Sequence, residues 1–120
     1  MLNLADIHAK QQCTISIYDK DGEHRIVAVC QVLYIIADGN YSHITYIWEN
    51  DYRTSIQSHN LASYTNFLTQ MHFMQIHKSH LINLAMVQGL NNKYHHVTMK
   101  DKQQLHYTKH FGDQLHALFL

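Results

Sequence analysis

Apolar and polar residues alternate with a period of two over much of this chain, and the period becomes helical in two places. CTISIYDKDGEHRIVAVC (13–30) alternates on both sides of Asp21-Gly22, a pair that tolerates positive φ at both positions. A β-hairpin with a two-residue turn is predicted, with Ile17 facing Ile26, Ile15 facing Ala28 and Cys13 facing Cys30. Those six residues share one face, and Thr14, Ser16, Tyr18, Arg25, Val27 and Val29 take the other. VLYIIA (32–37) is almost continuously apolar, as a buried strand is, and DGNYS closes it with a turn. HITYIWEN (43–50) and YRTSIQ (52–57) read as a second hairpin around Asn50-Asp51. MVQGL (86–90) reads as extended. KYHHVTMK (93–100) and QQLHYTK (103–109) form a third hairpin, with Val97 and Met99 facing one way and Leu105 and Tyr107 likewise.

Helical spacing enters at NLASYTNFLTQM (60–71), where Leu61, Tyr64, Leu68 and Met71 recur and Asn60 is placed to cap the start. It returns in FGDQLHALFL, where Phe111, Leu115 and Leu118 form one stripe. The expected fold is therefore mainly β, with a short central helix and a C-terminal helix. The 120 residues suit a single core, and the absence of proline, linkers and repeats supports one domain over 13–120 behind an N-terminal extension, 1–12.

Composition adds exclusions. Apolar residues make up 46% and charged residues 15%, a globular balance and not a disordered one. No run of about 18 apolar residues encodes a membrane span, and MLNLADIHAKQQ lacks the basic start and apolar core of a secretory signal. A cytoplasmic protein with two reduced core thiols is expected, although the predicted register would let Cys13 and Cys30 touch. Net charge is zero but uneven: residues 1–60 carry −3, and residues 61–120 carry +3 with eight of the twelve histidines. A polyanion would face the second half.

Three groupings could carry chemistry. The histidines give an H-x-x-H (His77, His80), an H-x-x-x-H (His106, His110) and the pair His95-His96. No acidic residue flanks His77 or His80 as a second partner, so no metal is expected and the histidines read as surface or core residues. Ser79 beside His77 suggests a nucleophile and base. The chain has no nucleophile elbow, no phosphate-cradling glycine loop and no acid pair, so neither catalysis nor a cofactor is expected. The third grouping is a set of polar strand ends: Asn40, Tyr41, Ser42 and His43; then His77, Lys78 and Ser79; then Lys109 and His110, ending the last hairpin. Such groups suit ordinary turns, and they also suit phosphates and base edges.

The same three groups carry a resemblance. VLYIIADGNYSHI (32–44) resembles the LytTR pattern of an apolar strand, a small residue and G-N-Y. FMQIHKSHLIN (73–83) resembles that family's F-x-R-[IV]-H-[KR]-S-[YHF]-[LI]-[VI]-N block, and LHYTKHF (105–111) its closing strand. The resemblance spans about residues 13–118. It implies a DNA-binding domain of bacterial transcription regulators, built as an elongated stack of small β-sheets that reads successive major grooves with strand-end loops. It also implies double-stranded DNA with direct repeats as partner, a homodimer on DNA, and a receiver domain or membrane-protein inhibitor as further partners. Tyr41, Ser42 and His43 would make the first contact, Lys78 and Ser79 the second, Lys109 and His110 the third, with His77 bracing its loop. Three histidines at these positions suggest tighter binding below about pH 6.5. The chain departs from the family at Ile36 (often Glu), at Gln75 (usually Arg) and at Thr108-Lys109 (usually Ser-Arg). Losing two arginines removes forked donors. The alternative is a protein-interaction module that keeps the fold without specific DNA binding.

Overall fold

The computed structural model describes residues 13–119; the expected N-terminal extension and Leu120 lie outside the described residues. Ten strands form three antiparallel sheets, with two α-helices, in a body measuring 41 × 32 × 25 Å. Strands β1 (Thr14–Tyr18) and β2 (His24–Ala28) make a two-stranded sheet. Strands β3 (Val32–Asp38), β4 (Tyr41–Trp48), β5 (Asp51–Gln57), β6 (Phe73–His77) and β7 (His80–Asn83) make the central sheet, in the order β5-β4-β3-β7-β6. Strands β8 (Val87–Asn91), β9 (His96–Met99) and β10 (Gln104–His106) make the third. Helix α1 (Ala62–Leu68) follows β5, and helix α2 (Lys109–Leu118) ends the described chain.

The central sheet is covered on both faces, which explains the nearly continuous apolar run of β3 and the adjacent Leu81 and Ile82 of β7. On one face Val32, Ile35, Ile44 and Leu81 pack with Ile17 and Val27 of the first hairpin and with Leu61, Tyr64 and Leu68 from the α1 segment. On the other, Tyr34, Ile76 and Ile82 pack with Val97, Met99 and Leu105 of the third sheet and Leu115 of α2. Asn83, fully buried, ties the end of β7 to the start of β3 and caps the short turn that follows it: its amide donates to the Val32 carbonyl at 2.8 Å and its oxygen accepts from the Ala85 N–H at 2.9 Å.

The first hairpin is real, but its register is shifted by one residue. Ile17 faces Arg25, Ile15 faces Val27 and Ser16 faces Ile26. The cause is Asp19. Its carboxylate accepts from the backbone N–H groups of Asp21 and Glu23, both at 3.0 Å, and pairs with Arg25. Asp19 and Glu23 thus close a three-residue loop whose last member, Gly22, takes φ +83°. The slip buries Val27 and turns Ile26 outward. It also separates the cysteines: the Cys13 carbonyl accepts from Val29, and the two thiols are free, Cys13 exposed and Cys30 half-buried. They are not the buried, facing thiols expected.

Two other boundaries move. The second hairpin turns at Glu49-Asn50, both left-handed (φ 52° and 67°), with Trp48 facing Asp51. The closing strand stops at His106, and the C-terminal helix begins at Lys109, two residues before the expected start. Lys109 and His110 therefore open a helix and do not end a hairpin. The Asn60 cap is as expected, its side-chain oxygen accepting from the Ser63 N–H at 3.1 Å.

Replacing Asn83 by Ala removes the partners of a buried carbonyl and a part-buried N–H, each worth about 1–3 kcal/mol. Urea unfolding of Asn83→Ala is expected to show a stability loss of about 2–4 kcal/mol. A loss under about 0.5 kcal/mol would mean that Asn83 does not hold β7 to β3.

Candidate nucleic-acid interface

Three chain segments meet at one end of the central sheet. The turn between β3 and β4 is Gly39-Asn40, with Gly39 at φ +60°. The turn between β6 and β7 is Lys78-Ser79. Strands β3 and β7 pair side by side with Ile36 opposite His80, so the two turns project from the same end. The Ala37 N–H donates to the Ser79 carbonyl at 2.8 Å and locks one to the other. The third segment joins through β6: the Thr108 N–H donates to the Ile76 carbonyl at 3.0 Å, placing the first turn of α2 beside His77. Tyr107 fixes that helix, its hydroxyl meeting the Asn91 carbonyl and His116 while its ring lies where a Cβ on Gly112 would fall, 2.5 Å from Cε1.

The expected site residues divide by direction. Asn40, Tyr41, Lys78, Lys109 and His110 are exposed. Ser42 is fully buried, and its hydroxyl donates to the His59 carbonyl at 2.7 Å. Ser42, expected among the DNA-facing residues, faces the interior: β-strand alternation turns it inward between its exposed neighbour Tyr41 and half-buried His43. His43 donates from Nε2 to the Asp38 carboxylate at 3.1 Å. Ser79 is half-buried, and its N–H donates to Nδ1 of His77 at 3.1 Å. His77 thus braces its own turn. So does Gln75, which the sequence reading treated only as a missing arginine: its amide donates to the Lys78 carbonyl at 3.3 Å. No local sequence signal marks that role, because it depends on the irregular register between Gln75 and His77.

Imidazoles gather beneath this turn. His77 stacks on His80 at 4.6 Å between centroids and meets His106 edge-on at 6.3 Å. His80 donates from Nδ1 to the His106 carbonyl at 2.8 Å. His106 and His110, the i, i+4 pair, are divided between β10 and α2. Among the described residues no three metal-ligating side chains converge. Burial, and then His80, His106 and Lys78, hold the pKa of His77 below its ordinary 6.5. A neutral His77 is what the Ser79 hydrogen bond requires, since a protonated ring has no acceptor nitrogen.

A family model described as the LytTr DNA-binding domain matches residues 22–119. The chain belongs to the LytTR family of DNA-binding domains. Its three sheets and two helices superpose on the LytTr DNA-binding domain of a response regulator from Bacillus cereus with a TM-score of 0.74 and 15% identity, covering 89% of this chain and 96% of that one. No curated protein sequence matches. The shared shape at low identity assigns the fold. No helix among the described residues is long and apolar enough to cross a membrane.

The depressed pKa of His77 makes stability pH-dependent. The unfolded chain takes up the proton first, so stability present above pH 6.5 is lost as pH falls through 6.5 toward the lower folded value. His77→Asn keeps an acceptor for Ser79 and cannot titrate. Between about pH 7.5 and about pH 5 the wild type is expected to lose more unfolding free energy than His77→Asn. Equal losses would show that His77 is not held neutral by its surroundings.

Proposed function

We propose that this domain binds double-stranded DNA sequence-specifically and regulates transcription, using the strand-end surface as its reading edge. The observation that carries this is convergence: Asn40, Tyr41, Lys78, Lys109 and His110 come from three distant segments, are exposed, and stand at one end of a rigid sheet. Lys78 and Lys109 supply positive charge there, while Glu49 and Asp51 lie at the opposite end of the sheet. Asn40 and Tyr41 offer an amide and a phenol to base edges, and the lysines meet phosphates. Ser42, His77, Ser79 and Gln75 shape the turns and stay behind the contact surface. Protonating His77 would release its turn, since Nδ1 accepts the Ser79 N–H.

Two copies on a direct repeat in the cytoplasm, controlled by a receiver domain or a membrane-protein inhibitor, complete the proposal. The rival reading, a protein-interaction module, draws support from the zero net charge and from Gln75 standing where the family usually has an arginine. Selection from a random duplex pool decides between them. DNA reading predicts enrichment of a motif repeated at about one helical turn, 10–10.5 bp. Folded protein that enriches nothing supports the interaction module.

On the selected duplex, Lys78→Ala is expected to weaken binding and to reduce the slope of log K against log salt by about 1, the loss of one phosphate contact. Lys78→Ala with Lys109→Ala should reduce it by about 2. An unchanged slope would remove these lysines from the interface. Ser42→Ala, acting through the His59 loop, should leave the slope as it is.

A further inference from the structure

A concavity of about 800 Å³ lies on the other flank of the sheet, between the first hairpin and β5. The hairpin is held off the sheet edge by a side chain. Gln57, buried, accepts the Tyr18 N–H at its amide oxygen (3.0 Å) and donates its amide to the Tyr18 carbonyl (2.7 Å). One side chain thus stands in for a ladder step between β1 and β5 and leaves a groove above it. Tyr18, Tyr41 and Ile56, each more than half exposed, supply its apolar surface, over the fully buried Tyr46.

Arg53 is the unexplained group. It faces the groove from β5, opposite Tyr46, and is half-buried. The other arginine, Arg25, is engaged: it pairs with Asp19 and lies over Trp48 at 5.6 Å. Among the described residues no carboxylate, hydroxyl or carbonyl meets the guanidinium of Arg53. Arg53, half-buried as a residue and with its fork free, shares this lining with aromatic rings and with the Asp19 and Asp21 carboxylates, and it matches a planar carboxylate with an apolar body: the fork takes the two oxygens, and the rings take the remainder.

We propose that this groove is a binding site for a small aromatic carboxylate, with Arg53 as its anchor. The site needs no DNA and is independent of the DNA reading. If that reading also holds, the two are coupled through the chain, because Tyr41 lines the groove and opens β4 immediately after the Gly39-Asn40 turn.

The test is a titration of the DNA-free protein, labelled with ¹⁵N, by benzoate, with benzyl alcohol and inorganic phosphate as comparison probes. A ligand of benzoate's size is expected to bind with Kd of about 1 mM. Benzoate should shift the amides of Arg53, Ile56, Tyr41 and Tyr18, and benzyl alcohol should bind much more weakly. Arg53→Gln should weaken benzoate by about tenfold or more, and Arg53→Lys, which keeps the charge without the fork, should recover only part. Each variant is checked for an intact spectrum away from the groove. Absence of shifts at about 10 mM benzoate, equal binding by Arg53→Gln, or phosphate binding as well as benzoate would each overturn the proposal.

Discussion

Everything at the proposed reading edge depends on the pairing of β3 with β7. These two strands are apolar toward both faces of the sheet, so each must lie between neighbours and under cover on both sides. Ile35 opposite Leu81 and Ile36 opposite His80 fix the register. A one-residue slip would exchange the two buried faces. Once that register is set, the turns that follow β3 and precede β7 have to emerge together. The bond from Ala37 to the Ser79 carbonyl is the last step of the ladder and the first of the site.

Around that ladder, side chains divide the work by direction. A turn that presents a lysine or an asparagine to solvent still has its own N–H and carbonyl groups to satisfy. His77 takes the Ser79 N–H, Gln75 reaches the Lys78 carbonyl, and Ser42 reaches the His59 carbonyl. Each lies next to an exposed residue whose position it fixes. His77 is tuned away from charge, because burial first, and then the neighbouring imidazoles and Lys78, penalise a proton there, and a neutral ring keeps the acceptor nitrogen the turn uses.

Much of this could be read from the chain, and the failures share a cause. The continuous apolar run at 32–37 marked a buried strand, and the polar groups at 40–43 and 77–79 marked strand ends, whereas Lys109 and His110, read as a strand end, open a helix. Periodicity reports faces and cannot report a side chain that captures its own turn. Asp19 lengthened the first loop and moved the register by one, which placed Val27 inside, Ile26 outside and the cysteines apart. Glu49, an unusual residue for a left-handed position, hid the second turn one residue early. Ser42 was read with its neighbours as polar, and alternation alone would have turned it inward. Arg53 carried no signal at all, since a free guanidinium can be recognised only when its surroundings are known.

The central claim is that three distant segments form one DNA-reading edge. The most direct measurement is a map of backbone amide shifts on adding a duplex selected by the protein itself. The account predicts the largest changes within 39–43, 77–80 and 108–112, with the Glu49-Asn50 turn at the far end of the sheet unmoved. Changes confined to the far end, or to a single one of the three segments, would contradict it.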